Sequence, residues 1–210
     1  MRMKTTYESK YIDLPVNANK FRNFGLHPLI LDRINDQIKA LQSYYSRITI
    51  YRFDLHLPST QKNPSKLENE LLSLLFKRCK ADLGSKKWRS HKRFIHGWVR
   101  ETGISSHPHY HVFIGLQSLQ RCAGLVSENG LTGVWQIIEK HWKELSGGTV
   151  HCVNARILNR NDSDAYEKCF FHLSYLAKDR DKDFGSGESH KRFGFSRLKC
   201  KEEFPTSYAA

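Results

Sequence analysis

The sequence predicts an α+β fold, an antiparallel sheet of about four or five strands with helices packed on it. Three observations point there. Residues 47–57, 94–101, 107–116 and 149–158 carry strand-like patterns of β-branched and aromatic residues. Residues 28–45, 65–83, 131–145 and 164–179 instead repeat their apolar positions at helical spacing. The second and third strand segments are separated by the turn-like Thr102-Gly103-Ile104-Ser105-Ser106, so they should lie side by side and antiparallel.

Residues 1–26 are polar, lack clear periodicity and read as an N-terminal arm. Residues 27–210 read as one domain, long enough to bury a core. The first helix carries Leu29, Ile30, Ile34, Ile38 and Leu41. In the first strand Tyr51, Phe53, Leu55 and Leu57 take one face, and Arg52, Asp54 and His56 the other. The second helix offers Leu67, Leu71, Leu74, Leu75 and Arg78 at suitable spacing and stops at Gly84. After the two paired strands come the third helix, closed by Gly147 and Gly148, and the fourth strand. The fourth helix has its cap at Asp162, Ser163 or Asp164. A loop at 183–188 leads to a last short strand at 193–198. One sheet face is then buried and the other carries the polar residues.

The polar face holds the most informative feature. In His107-Pro108-His109-Tyr110-His111-Val112-Phe113-Ile114-Gly115-Leu116, alternation puts His109 and His111 on one face and Tyr110, Val112, Ile114 and Leu116 on the apolar one. Two imidazoles side by side make half of a divalent-metal site. They would equally suit the solvated face of an antiparallel sheet. Glu101 ends the preceding strand, and antiparallel pairing brings it to His109 with a carboxylate oxygen. Otherwise it pairs with one of many nearby cations. A set of two imidazoles and a carboxylate suits Mn²⁺ or Mg²⁺. His107, Asp54 and His56 are the substitutes for the third ligand. On the fourth helix, Tyr166, Cys169, Phe170, Leu173, Leu176 and Ala177 form the apolar face. Tyr175 falls on the opposite face with Phe171 and Lys178. Tyr175 and Lys178 are three apart, neighbours on a helix surface.

Charge points to a nucleic-acid partner. The net charge is +13, from 34 Lys and Arg against 21 Asp and Glu. Such an excess is the footprint of a phosphate-binding surface. Residues 77–100 hold nine Lys or Arg and one acid, Asp82. There, Lys86, Lys87, Trp88, Arg89, Lys92 and Arg93 set an aromatic among cations, which suits single-stranded DNA or else a solvated basic loop. A second group, Lys178, Arg180, Lys182, Lys191, Arg192 and Arg197, is diluted by Asp179, Asp181, Asp183 and Glu188.

An H-x-H strand followed by Tyr175-Leu176-Ala177-Lys178 resembles the HUH endonucleases, the replication initiators of rolling-circle plasmids and phages and their relaxase and transposase relatives. Tyr51-Arg52-Phe53-Asp54-Leu55-His56-Leu57-Pro58, Gly97-Trp98-Val99-Arg100-Glu101 and Phe193-Gly194-Phe195-Ser196-Arg197 extend the similarity over residues 45 to 200, closest to the inovirus gene-2-like group of prophages and mobile elements. Tyr110 departs from the bulky hydrophobe of the pattern. The resemblance implies site-specific nicking and joining of single-stranded DNA at a replication origin. A metal on His109, His111 and Glu101 would orient and polarise the scissile phosphate, with Tyr175 as nucleophile and Lys178 stabilising charge. A free phenol has a pKa of about 10, so it needs such help. The implied products are a 5′-phosphotyrosine and a 3′-OH that primes replication. A bacterial host would supply a helicase, because the chain has no G-x-x-x-x-G-K-[ST] loop.

Two other classes stay open at this point. One is a non-catalytic origin-binding or regulatory protein of the same fold. The other is a metal-dependent hydrolase or oxygenase with a two-His, one-carboxylate site. The basic loop argues against the oxygenase, and the Tyr175–Lys178 pair against the pure binder. No stretch reaches transmembrane length or resembles a signal peptide. The five cysteines lack a C-x-x-C pattern and read as free thiols, so a cytoplasmic location is expected.

Overall fold

The computed structural model describes residues 5–18, 24–58, 65–85, 88, 92–101, 109–118, 124, 126–128, 130–179 and 191–202. In chain order its elements are β1 (Lys10–Tyr11), β2 (Leu14–Pro15), α1 (Pro28–Tyr44), β3 (Arg47–His56), α2 (Ser65–Leu83), β4 (Phe94–Glu101) and β5 (His109–Gln117). There follow β6 (Val126–Ser127), β7 (Gly130–Leu131), α3 (Gly133–Ser146), β8 (Thr149–Asn159), α4 (Ser163–Leu173), a 3₁₀ turn (Ser174–Ala177) and β9 (Phe193–Phe195). Five strands form one antiparallel sheet in the order β8-β3-β5-β4-β9. The predicted α+β class is the observed one.

Strand alternation sorts the core into two layers. On the back face, Tyr51, Phe53 and Leu55 of β3, Trp98 of β4 and Tyr110, Val112 and Ile114 of β5 pack under α2 and α3. On the front face, Ile48, Ile50, Ile95, Val99, Phe113 and Leu158 pack under α1 and α4. The sequence reading left the front bare. The correction lies within β3 itself: Ile48 and Ile50 share the face of Arg52, Asp54 and His56. That face is apolar where β3 begins and polar where it ends. The helices cover the apolar half, and the site occupies the polar half.

Three local corrections follow from packing. On α2 the buried residues are Glu68, Leu71, Leu72, Leu75, Phe76, Cys79 and Leu83, while Leu67 and Leu74 are exposed. The helix is rotated because Glu68 is drawn inward by Arg100 and Tyr110. The segment read as a polar arm is partly woven into the core. Val16 and Leu26 are buried, and Leu26 pairs with Thr6 on one side and Lys178 on the other. Two-residue strands are too short to show periodicity. Finally, α4 ends at Leu173 rather than near residue 179. Its start agrees with expectation: Asp162 caps it, accepting from the Ala165 N–H at 2.9 Å. Among the described residues, no helix is long and apolar enough to cross a membrane.

Candidate metal centre and tyrosine

Cross-strand register assembles the group. In the β4–β5 ladder Glu101 lies opposite His109 and Val99 opposite His111. In the β3–β5 ladder His56 lies opposite His109 and Asp54 opposite His111. Direct cross-strand neighbours sit about 5 Å apart at Cβ, so five polar side chains converge on one patch. One ligand atom each from Glu101, His109 and His111 lies within 4.8 Å of the others. His109 Nε2 is 3.5 Å from Glu101 Oε2. The His56 and His109 rings stack, with centroids 5.5 Å apart and 14° between planes.

His111 is held from both sides. Its Nδ1 meets Asp54 Oδ1 at 2.7 Å, and its Nε2 is bonded to Glu101 Oε2. Burial opposes a charge on this ring, but the hydrogen bonds and charges of Asp54 and Glu101 outweigh it and hold the imidazole above its ordinary pKa. Burial likewise opposes ionisation of Asp54, yet the His111 bond and charge bring its carboxyl below the usual range. Asp54 therefore fixes the ring and aims Nε2 at Glu101, as an outer carboxylate does for a metal-bound histidine. Two imidazole nitrogens and a carboxylate oxygen, in a partly buried patch with an oriented ring, fit a divalent ion. Glu101 is the third member of the group, as the sequence suggested. Asp54 supports instead, His56 stacks behind His109, and His107 lies outside the described residues.

Tyr175 faces this group. Its ring meets the His111 ring edge-on, with centroids 5.0 Å apart and planes at 88°. It is half-buried rather than free on an outer helix face. The helix tightens into the 3₁₀ turn where the Ser174 hydroxyl donates to the Phe171 carbonyl and accepts the Asn17 N–H. The turn then ends on a paired segment. The His27 N–H donates to Ala177 O at 2.9 Å and the Asp179 N–H to Gly25 O at 2.8 Å. Lys178 is buried rather than exposed, with Nζ 4.5 Å from the Tyr175 ring centre and 5.3 Å from that of Phe24. Tyr166 is on the packed face as expected, its hydroxyl donating to Asn35 Oδ1 at 2.6 Å.

Sequence reasoning missed Arg52. Its guanidinium carbon is 4.5 Å from the centre of the Tyr175 ring, so two cations bracket the phenol. A charged residue on a strand's polar face reads as solvated. Only the packing of α4 shows it to be 7% exposed.

The described residues of the basic stretch sit elsewhere. Lys92 and Arg93 precede the start of β4, while Glu101 ends it, roughly 23 Å along an eight-residue strand. Trp88 packs on the back-face core and lines a cavity of about 600 Å³ with Asp82, Gln136, Ile137 and Lys140. That volume lies across the sheet from the His109–His111 group, so the cavity does not mark the centre. Arg93 stacks on Tyr44 with 3.8 Å from its guanidinium carbon to the ring centre, and Lys92 is exposed. Lys86, Lys87, Arg89, Arg180 and Lys182 lie outside the described residues. Arg192 lies beside the site end of β4, its carbonyl accepting the Arg100 N–H at 2.8 Å. Arg197 is exposed beyond β9.

The sequence model of the YagK/YfjJ C-terminal domain family matches residues 13–196. No curated protein and no solved structure matches the chain. The matched span contains every member of the metal group and Tyr175. The chain belongs to the YagK/YfjJ C-terminal domain family.

Proposed function

We propose that this YagK/YfjJ C-terminal domain protein is a site-specific single-strand DNA nicking and joining enzyme of the HUH type. On this reading it starts rolling-circle replication of a phage, prophage or plasmid in a bacterial cytoplasm, with a host helicase as partner. The observation that carries the reading is Tyr175 edge-on to His111, on a turn facing the Glu101–His109–His111 group.

Glu101, His109 and His111 would hold the ion, which when bound draws charge from the scissile phosphate. Asp54 keeps the His111 ring oriented. Tyr175 attacks phosphorus through its hydroxyl oxygen. The Tyr–O–P bond forms, the P–O3′ bond breaks, and the departing 3′ oxygen takes a proton. Lys178 and Arg52 supply positive charge beside the phenol as the phosphate becomes more anionic. The phosphotyrosine ester conserves the bond energy, so the 3′-OH can reverse the step and rejoin the strand.

The test is covalent trapping on labelled single-stranded origin DNA with Mn²⁺. The wild type should form an adduct that survives denaturation, and proteolysis should place it on the Tyr175 peptide. Tyr175→Phe should abolish it while Tyr166→Phe leaves it. No adduct in the wild type, with DNA binding intact, would favour a non-catalytic origin-binding protein. Metal-dependent turnover of another substrate with Tyr175→Phe fully active would favour a two-His, one-carboxylate hydrolase or oxygenase.

A further inference from the structure

We propose that Arg52, Arg156 and His172 form a phosphate subsite beside Tyr175, which takes an internucleotide phosphate next to the one attacked. The proposal rests on the nicking reading for the identity of its ligand and on geometry for its existence. Arg52 is 7% exposed, and its Nε, itself out of contact with solvent, has no hydrogen-bond partner among the described residues. A second guanidinium shows the same deficit: Arg156 Nε is buried and unpartnered. The two arise from neighbouring strands and one face. Arg156 of β8 pairs with Ile50, two residues from Arg52 on β3.

His172 of α4 completes the cluster. Arg52 approaches His172 Nε2 at 3.3 Å and the His172 carbonyl at 3.4 Å. Burial, then the charges of Arg52 and Arg156, push this imidazole down to about 4, so it is neutral and accepts from the guanidinium. No carboxylate lies within ion-pair distance of either arginine among the described residues. Asp54, two residues along β3, is turned to His111. Asp54 and Glu101 act on Arg52 through their charge but form no ion pair with it, and burial outweighs them and lowers its pKa. A buried guanidinium without a hydrogen-bonded acid is costly. Because both Nε atoms lie out of contact with solvent, a phosphate would reach them only as the guanidinium groups turn toward it. It would then offer the missing acceptors to paired donors. Because Arg52 also lies against the Tyr175 ring, the phosphate it holds belongs to the stretch of strand at the nick.

The experiment separates this subsite from the nicking reaction. Binding is measured with Tyr175→Phe protein, which cannot cleave. The oligonucleotides carry one neutral methylphosphonate at a time in place of a phosphate. One linkage flanking the nick should weaken binding about tenfold when neutralised, the scale of one charge-assisted pair. Adding Arg52→Gln should erase the sensitivity at that linkage and leave the others. Retained sensitivity at every linkage in Arg52→Gln, or no sensitive linkage near the nick, overturns the subsite. Should Arg52→Gln fail to fold, Arg156→Gln replaces it, with partial loss at the same linkage expected and an unchanged map fatal. A wild type that forms no adduct but gives this map would sink the nicking reading and keep the phosphate site.

Discussion

Two buried carboxylates flank β5, and their partners differ in kind. On the front, Glu101 meets His109 and His111. On the back, Glu68 of α2 takes the Arg100 Nε–H at 3.0 Å and the Tyr110 hydroxyl. Both acids are at most 8% exposed. Glu101 is balanced by imidazoles, which can release a proton and bind a cation in its place. Glu68 is balanced by a guanidinium, which cannot, and by a phenol that burial first, then Glu68, holds far above the range in which it ionises. The front pair is therefore exchangeable and the back pair fixed. The same strand is clamped on one side so that the other can change its ligands. The contrast extends to the histidines. His96 stacks on Phe76 at 4.0 Å on the back face and is pulled down to about 4, chiefly by burial and then by Lys80. His111 is held up.

Glu68→Ala should give the largest loss, because it removes a buried carboxylate that the Arg100 Nε–H and the Tyr110 hydroxyl both donate to. About 3–5 kcal/mol of stability should disappear in chemical denaturation. A loss under about 1 kcal/mol would mean the back clamp is incidental. Glu101→Ala should instead lower Mn²⁺ affinity by more than about a hundredfold in calorimetry. Normal Mn²⁺ affinity would place the ion elsewhere. His96 gives the pH signature of the back face. The unfolded chain takes up a proton near pH 6.5, and the folded His96 only near 4. Between these values the unfolded state binds more protons. Stability should therefore fall as pH drops through this window, by on the order of 2–3 kcal/mol, and level off below it. His96→Phe should flatten that part of the curve, and an unchanged curve would assign it to other groups. Asp54→Asn should weaken Mn²⁺ binding by about 10–100-fold, the scale of an outer carboxylate on a ligating histidine. The smallest effect expected is Tyr110→Phe, about 1–2 kcal/mol of stability with Mn²⁺ affinity nearly intact. If metal binding collapses in that variant, front and back are not separable.

How much of this was legible depended on the range of the interaction. Alternation along β3, β4 and β5 gave the faces. A short connection between β4 and β5 gave the register that brings Glu101 to His109. These are local consequences of chain geometry. Arg52 and Glu68 were missed because a charged residue reads as solvated until a helix from elsewhere covers it. Tyr110 shows the same limit: its departure from the family pattern looked neutral, and its acid partner lies 42 residues away. The break in α4 is a tertiary effect too. Nothing in Ser174-Tyr175-Leu176-Ala177 forbids an α-helix. The pairing of residues 177–179 with 25–27 draws the chain out of it. Trp88 stands among cations in the sequence, but its position on the back face depends on α3.

That pairing has a mechanical side. In the proposed covalent state a DNA strand hangs from Tyr175, and whatever unwinds the duplex pulls on it. A tyrosine in the last turn of a free-ended helix would pass that tension to one fraying terminus. Here the turn is stitched on its far side to Gly25–His27, immediately before α1. Tension would therefore spread to α4 on one side and to α1, seated on the sheet, on the other. On the proposed reading the backbone hydrogen bonds at 25–27 would act as a strain relief for the attached strand. They would keep the phosphotyrosine in register with its site under load, where the joining step would need it.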